Sequence, residues 1–112
     1  MRILSIWTFD PSTKQPPTAE QMQQMGALIT ELKSTGVLID TGGAMDGSLE
    51  LRYARKNGKD TVTDGPFAEA KEVVGGFALF EVANRDEALA FTRRFLDVSG
   101  DGTCELHEVS VA

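Results

Sequence analysis

Five parts of the chain read as strands of period two, one of them a hairpin, and two others carry apolar residues at the period of three to four that marks a helix. The first segment, "RILSIWTF" at residues 2 to 9, is rich in β-branched and aromatic residues and is closed by Asp10-Pro11, which cannot continue a ladder. Ile3, Trp7 and Phe9 lie on one side with Ser5, while Leu4 and Ile6 lie on the other. Apolar bulk on both sides places this strand at the centre of a sheet. The polar connection "DPSTKQPP" then leads to Thr18, with Gln21 three residues on, the form of a capping box. Met22, Met25, Leu28, Ile29 and Leu32 share one helical face, and Gly36 ends the helix. That stripe is read as core.

"VLID" predicts a second strand, stopped by Gly42-Gly43. In "LELRYARKNGKDTVT" the pair Asn57-Gly58 meets the positive-φ demand of a type I′ turn and so predicts a hairpin. The turn fixes the register: Lys56 faces Lys59, Arg55 faces Asp60 and Tyr53 faces Val62. Leu51, Tyr53 and Val62 then share one side, and Arg52 and Lys56 share the opposite, wet side. "GFALFEVA" is the next strand, again apolar on both faces, with Phe77 and Leu79 alternating with Ala78, Phe80 and Val82. Asn84 with Glu87 opens a second helix through Ala88, Leu89, Phe91, Phe95 and Leu96 to Gly100. "CELHEVSV" is the last strand.

The order predicts an α+β fold, a ferredoxin-like βαββαβ with an inserted β-hairpin and an antiparallel sheet, in a single domain over residues 1 to 112. In that topology the first and third main strands are the central pair, and these are the two with apolar residues on both faces. Two helices cover only one face of such a sheet. The other face, holding Trp7, Phe9 and Phe77 or their alternates, needs a cover, and a second copy of the same sheet is the economical one. The expected assembly is a homodimer through sheet faces.

Composition narrows the partners. Eleven Lys and Arg against seventeen Asp and Glu give a net charge of -6, which repels phosphate backbones and anionic lipid. No nucleic acid and no membrane partner is expected. The apolar stretch after Arg2 is too short for a secretory leader or a membrane span, and the lone Cys104 suits a reducing compartment, so the expected location is cytoplasmic.

Between hairpin and third main strand stands "TVTDGPFAEAKEVVGG". With the following "FALFEV", with "EALAF" and with "ELKSTGVLIDTGG", it resembles the YCII-related family, in particular the branch named for Asp64, Gly65, Pro66 and Phe67, the DGPF domain. The resemblance spans nearly the whole chain and implies a dimeric α/β-barrel. In the family's founding branch a histidine early in the first helix is paired with an aspartate in a cleft, and one relative removes chloride from an aromatic ring. Here "TAEQMQQMGALITELKSTG" contains no histidine. Proteins of the DGPF branch are often encoded beside, or fused to, extracytoplasmic-function sigma factors, which implies an accessory role.

Among individual residues, Asp64 reads either as a turn cap, accepting from the N–H of Phe67 or Ala68, or as a cleft carboxylate acting in catalysis. Gly65 and Pro66 read as conformational, and Phe67 as a core anchor or a stacking ring. His107 is the sole histidine and the sole side chain that ordinarily titrates near neutrality, so it is the second catalytic candidate. Trp7, Arg52, Tyr53 and Phe67 are the candidate substrate-binding residues. One His and one Cys supply no ligand cluster, so no metal and no cofactor is expected. Arg52, Arg55, Lys56 and Lys59 form a basic patch, read as an attractor for an anionic group or as a solvated edge. Two functions follow: a non-catalytic dimeric accessory protein with a possible tie to sigma-factor regulation, or a small-molecule enzyme, of lyase or dehydrohalogenase type, with a cleft beside the DGPF loop. A deep apolar pocket with convergent polar groups favours the enzyme; a filled cleft beside a flat exposed patch favours the accessory protein.

Overall fold

A computed structural model describes residues 1 to 13, 15 to 45, 47 to 67 and 71 to 110. Strand β1 (Arg2–Phe9) leads through a short 3-10 turn into helix α1 (Ala19–Ser34) and strand β2 (Leu38–Gly43). The hairpin β3 (Leu51–Lys56) and β4 (Lys59–Asp64) follows, then β5 (Val73–Glu81), α2 (Arg85–Ser99) and β6 (Thr103–Glu108). The four main strands are ordered β2-β5-β1-β6, all neighbours antiparallel, with β1 and β5 at the centre. This is the expected α+β, ferredoxin-like arrangement, with the hairpin standing as a separate two-stranded sheet.

Local chemistry sets the helix ends. Thr18 Oγ1 accepts from Gln21 N–H at 3.0 Å while Gln21 Oε1 accepts from Thr18 N–H at 2.9 Å, completing the capping box. At α2 the Asn84 side chain accepts from Glu87 N–H at 2.9 Å. Both helices lie on one face of the sheet. Leu28 and Leu32 of α1 and Ala88 of α2 are buried with Ile3, Leu38, Phe80 and Val82. Met25, Ile29 and Phe91 pack around them. Met22, in the first turn of α1, stays exposed outside this cluster, so the apolar stripe extends one turn past the core.

Which side of each central strand meets the helices is decided by packing. Ile3, Ser5 and Trp7 of β1 point to the helices, with Trp7 edge-on to Phe95 of α2 at 5.6 Å and tilted on Phe9 at 5.1 Å. Trp7 and Phe9 are therefore not on the open face; their alternates Leu4 and Ile6 are. Phe77 of β5 is there as expected. The Gly42-Gly43 pair does not stop β2 short but forms its last two residues. Gly42 and Gly43 remain in β2, paired with Phe77 and Gly76, because ladder hydrogen bonds need only backbone. The Phe77 ring sits where a Cβ at position 42 would be, 2.7 Å away. β5 likewise begins at Val73 and passes through Gly75-Gly76 with a register shift opposite Trp7 and Thr8.

The hairpin has the register dictated by its turn: Lys56 opposite Lys59, Arg55 opposite Asp60, Tyr53 opposite Val62. Asn57 at φ 52° and Gly58 at φ 76° supply the two positive dihedrals. Its expected division into a dry and a wet side is not realised within the protomer. All twelve strand residues are exposed, Leu51 at 50%, Tyr53 at 64% and Val62 at 56%. The protomer is correspondingly spread: its radius of gyration is 15.8 Å, against about 13 Å for a compact domain of this length.

Candidate functional site

Cross-strand register assembles the open face of the sheet. On β1 and β5, Leu4 lies opposite Leu79 and Ile6 opposite Phe77. Asp40 of β2 flanks Leu79, while Glu105 and His107 of β6 flank Ile6 and Leu4. Four large apolar side chains thus occupy the middle of this face. Polar groups form its rim: Glu72 accepts from Thr8 Oγ1 at 3.2 Å, and Arg2 Nε meets Glu81 at 3.1 Å. Leu4, Ile6 and Leu79 are half-buried by one another, whereas Phe77 is 41% and Val74 57% exposed.

The residues expected to act together occupy different surfaces. Arg52 and Phe67 do meet: the guanidinium carbon stands 4.2 Å over the ring centroid, a cation-π contact that folds the DGPF turn back on one side of the hairpin. Tyr53 points to the opposite side, where its hydroxyl and the Arg55 guanidinium both bond the Asp60 carboxylate. Those two donors, Arg55 first, hold the Asp60 carboxyl below the usual range. Asp64 ends β4 opposite Leu51, exposed. The bond expected from Phe67 N–H to its side chain is not formed, and the alternative donor, Ala68, lies outside the described residues together with Glu69. The turn is instead tied through its backbone, Gly65 N–H donating to the Glu50 carbonyl at 2.9 Å. A Cβ at position 65 would stand 2.6 Å from the Glu50 Cβ, so only glycine fits there.

Trp7 lies beneath α2, on the other side of the sheet from His107, and its indole Nε1 is buried without a hydrogen-bond partner. His107 Nε2 is 3.8 Å from a Glu105 carboxylate oxygen, both side chains well exposed on the open face. This neighbour follows from strand alternation, since residues 105 and 107 share a face. Cys104, on the helix side with Ser5, has its thiol pushed up by burial, an effect opposed by the Ser5 hydroxyl. No three metal-ligating side chains cluster among the described residues.

Two recesses accompany these surfaces. The space between helices and sheet, lined by Met25, Leu28, Phe80, Phe91 and Phe95 among others, is almost filled, leaving about 40 Å³. A shallow groove of about 320 Å³ runs between α1 and α2, bridged by Arg94 and Glu31 in a paired contact of 2.7 and 2.9 Å. Sequence reasoning did not find that pair, because it joins positions 63 residues apart. The guanidinium holds the Glu31 carboxyl below its usual range.

Among the described residues no helix is long and apolar enough to cross a membrane. Comparison with known proteins gives a 36-residue stretch, 32% of this chain, that is 56% identical to an uncharacterised protein of Rhizobium meliloti (strain 1021). The match spans 29% of that relative's length. The family model for the YCII-related domain matches residues 1–110, nearly the whole chain and every element of the sheet described above. The chain belongs to the YCII-related family.

Proposed function

We propose that the protein works as a homodimer joined through the open sheet face and serves as a non-catalytic accessory protein. The observation that carries this reading is the partly exposed apolar face of Leu4, Ile6, Phe77 and Leu79, which no helix covers, with a nearly filled space under the helices on the other side. Apolar surface of this kind on a soluble chain marks an interaction site, and a two-fold pairing presents the same patch from both sides. Supporting the accessory role, His107 on the open face, Trp7 beneath α2 and the hairpin pair Tyr53 and Asp64 stand apart from one another and, among the described residues, converge on no enclosed cavity. The DGPF turn adds the resemblance to proteins encoded with sigma factors, in keeping with a regulatory setting reached through protein contacts and not through DNA, which a net charge of -6 would repel.

One observation favours the small-molecule enzyme: the Arg52 guanidinium lies over the Phe67 ring at the turn that follows Asp64, offering a cation and a ring beside the strand end that carries the carboxylate. Thermal-shift screening against a metabolite library separates the two readings. The accessory role predicts no saturable stabilisation. A ligand that stabilises the wild type in a dose-dependent way, and fails with Asp64→Asn, would overturn it in favour of a site beside the DGPF turn.

A further inference from the structure

The hairpin is the least supported part of the protomer. A two-stranded sheet alone is marginally stable in water and ordinarily needs a third strand or a packed face. Yet β3 and β4 expose all their side chains, including the stripe of Leu51, Tyr53 and Val62. At the tip, Lys56 lies directly opposite Lys59, a like-charge pair that weakens a hairpin in isolation.

Charge distribution says what belongs against it. Residues 51 to 64 carry four basic and two acidic side chains, while the rest of the chain carries seven basic and fifteen acidic. Of the four basic residues, Arg55 is occupied by Asp60 and Arg52 by the Phe67 ring, leaving the two tip lysines directed at solvent. A basic, apolar-striped arm thus projects from a strongly acidic body, and the open sheet face has Asp40, Glu72 and Glu105 at its rim, beside Glu81, which Arg2 already holds. The surface that complements the arm is the body of the same protein.

We propose that the β3–β4 hairpin is a docking arm for a second copy of this chain, laying its Leu51, Tyr53 and Val62 side on that copy's apolar surface while the tip lysines Lys56 and Lys59, which leave from the opposite side of the hairpin, reach acidic groups of the same copy. The inference rests on the dimer proposed above and adds a second contact to it. In that contact the lysine pair, unfavourable in the protomer, is neutralised, and the apolar stripe leaves water.

Sedimentation equilibrium on the full chain tests this with two variants. Lys56→Glu creates an opposite-charge pair with Lys59, so it favours the hairpin in the protomer while removing a positive charge from the tip. Leu51→Thr with Val62→Thr keeps strand propensity and removes the apolar stripe. Each is expected to raise the dimer dissociation constant at least tenfold, with circular dichroism unchanged. Lys56→Glu should also blunt the weakening of the wild-type dimer by sodium chloride. A dimeric wild type whose variants keep its affinity and salt response would refute the arm and leave the sheet-face dimer standing. A monomeric wild type would overturn both.

Discussion

Replacing Phe77 by Ser removes the most exposed aromatic side chain from the open sheet face. The predicted cost falls mainly on association. A phenylalanine side chain presents on the order of 200 Å², so the 41% left exposed by the protomer is about 80 Å². A two-fold dimer covers that area twice, about 160 Å², or about 4 kcal/mol at ~25 cal/mol per Å². That corresponds to roughly a thousandfold in Kd. Within the protomer the same ring covers the backbone at Gly42, so some thermal stability is lost as well. Sedimentation equilibrium over a concentration series, with circular dichroism as the control for folding, reads the two effects apart. Trp7→Ala supplies the contrast: Trp7 packs on Phe9 and Phe95 under α2, so its loss should lower the melting temperature first. A folded Phe77→Ser that dimerises as tightly as the wild type would refute the assignment of this face.

Other expected outcomes are local. Gly58→Val should destabilise the hairpin by about 1–2 kcal/mol, since a β-branched residue resists the φ of 76°; unchanged hydrogen exchange in β3 and β4 would contradict the turn assignment. Gly65→Ala should cost about 1–3 kcal/mol through overpacking against Glu50, seen as a lower melting temperature, and a neutral result would mean the DGPF turn is looser than its geometry. The Glu31 carboxyl, lowered by Arg94, stabilises the fold above the unfolded-state glutamate value of about 4.3, and this contribution is lost as pH falls through the lower folded value. Melting curves of wild type and Glu31→Gln should therefore differ at neutral pH and converge at strongly acid pH; a constant difference would remove the Arg94 pairing as the cause.

How much the chain declares about itself depends on how local each signal is. The capping box at Thr18 and Gln21, the cap at Asn84 and the register set by Asn57-Gly58 are written within a few residues, and all are realised. The central place of β1 and β5 followed from apolar residues on both their sides. The choice of side did not, because Leu4 with Ile6 and Trp7 with Phe9 are equally apolar, and Ser5, the polar marker, is buried at 6% exposure on the helix side. The glycines misled on strand ends, since Gly42 makes room for the Phe77 ring and Gly75 for the Trp7 and Phe9 rings. Nor could alternation show that Leu51, Tyr53 and Val62 face solvent, because an apolar stripe looks the same whether its cover belongs to its own chain or to another. At the DGPF turn the residue types were legible and the contacts were not: Phe67 finds Arg52 across the hairpin, and Asp64 leaves the turn to be held by a backbone bond from Gly65.

Sedimentation velocity of the wild-type protein at micromolar concentration tests the central claim most directly, because the proposed dimer joins two copies through the open face of Leu4, Ile6, Phe77 and Leu79. The predicted result is a single species of twice the 12.1 kDa protomer mass, dissociating on dilution. A well-folded monomer that persists through the micromolar range would contradict the account.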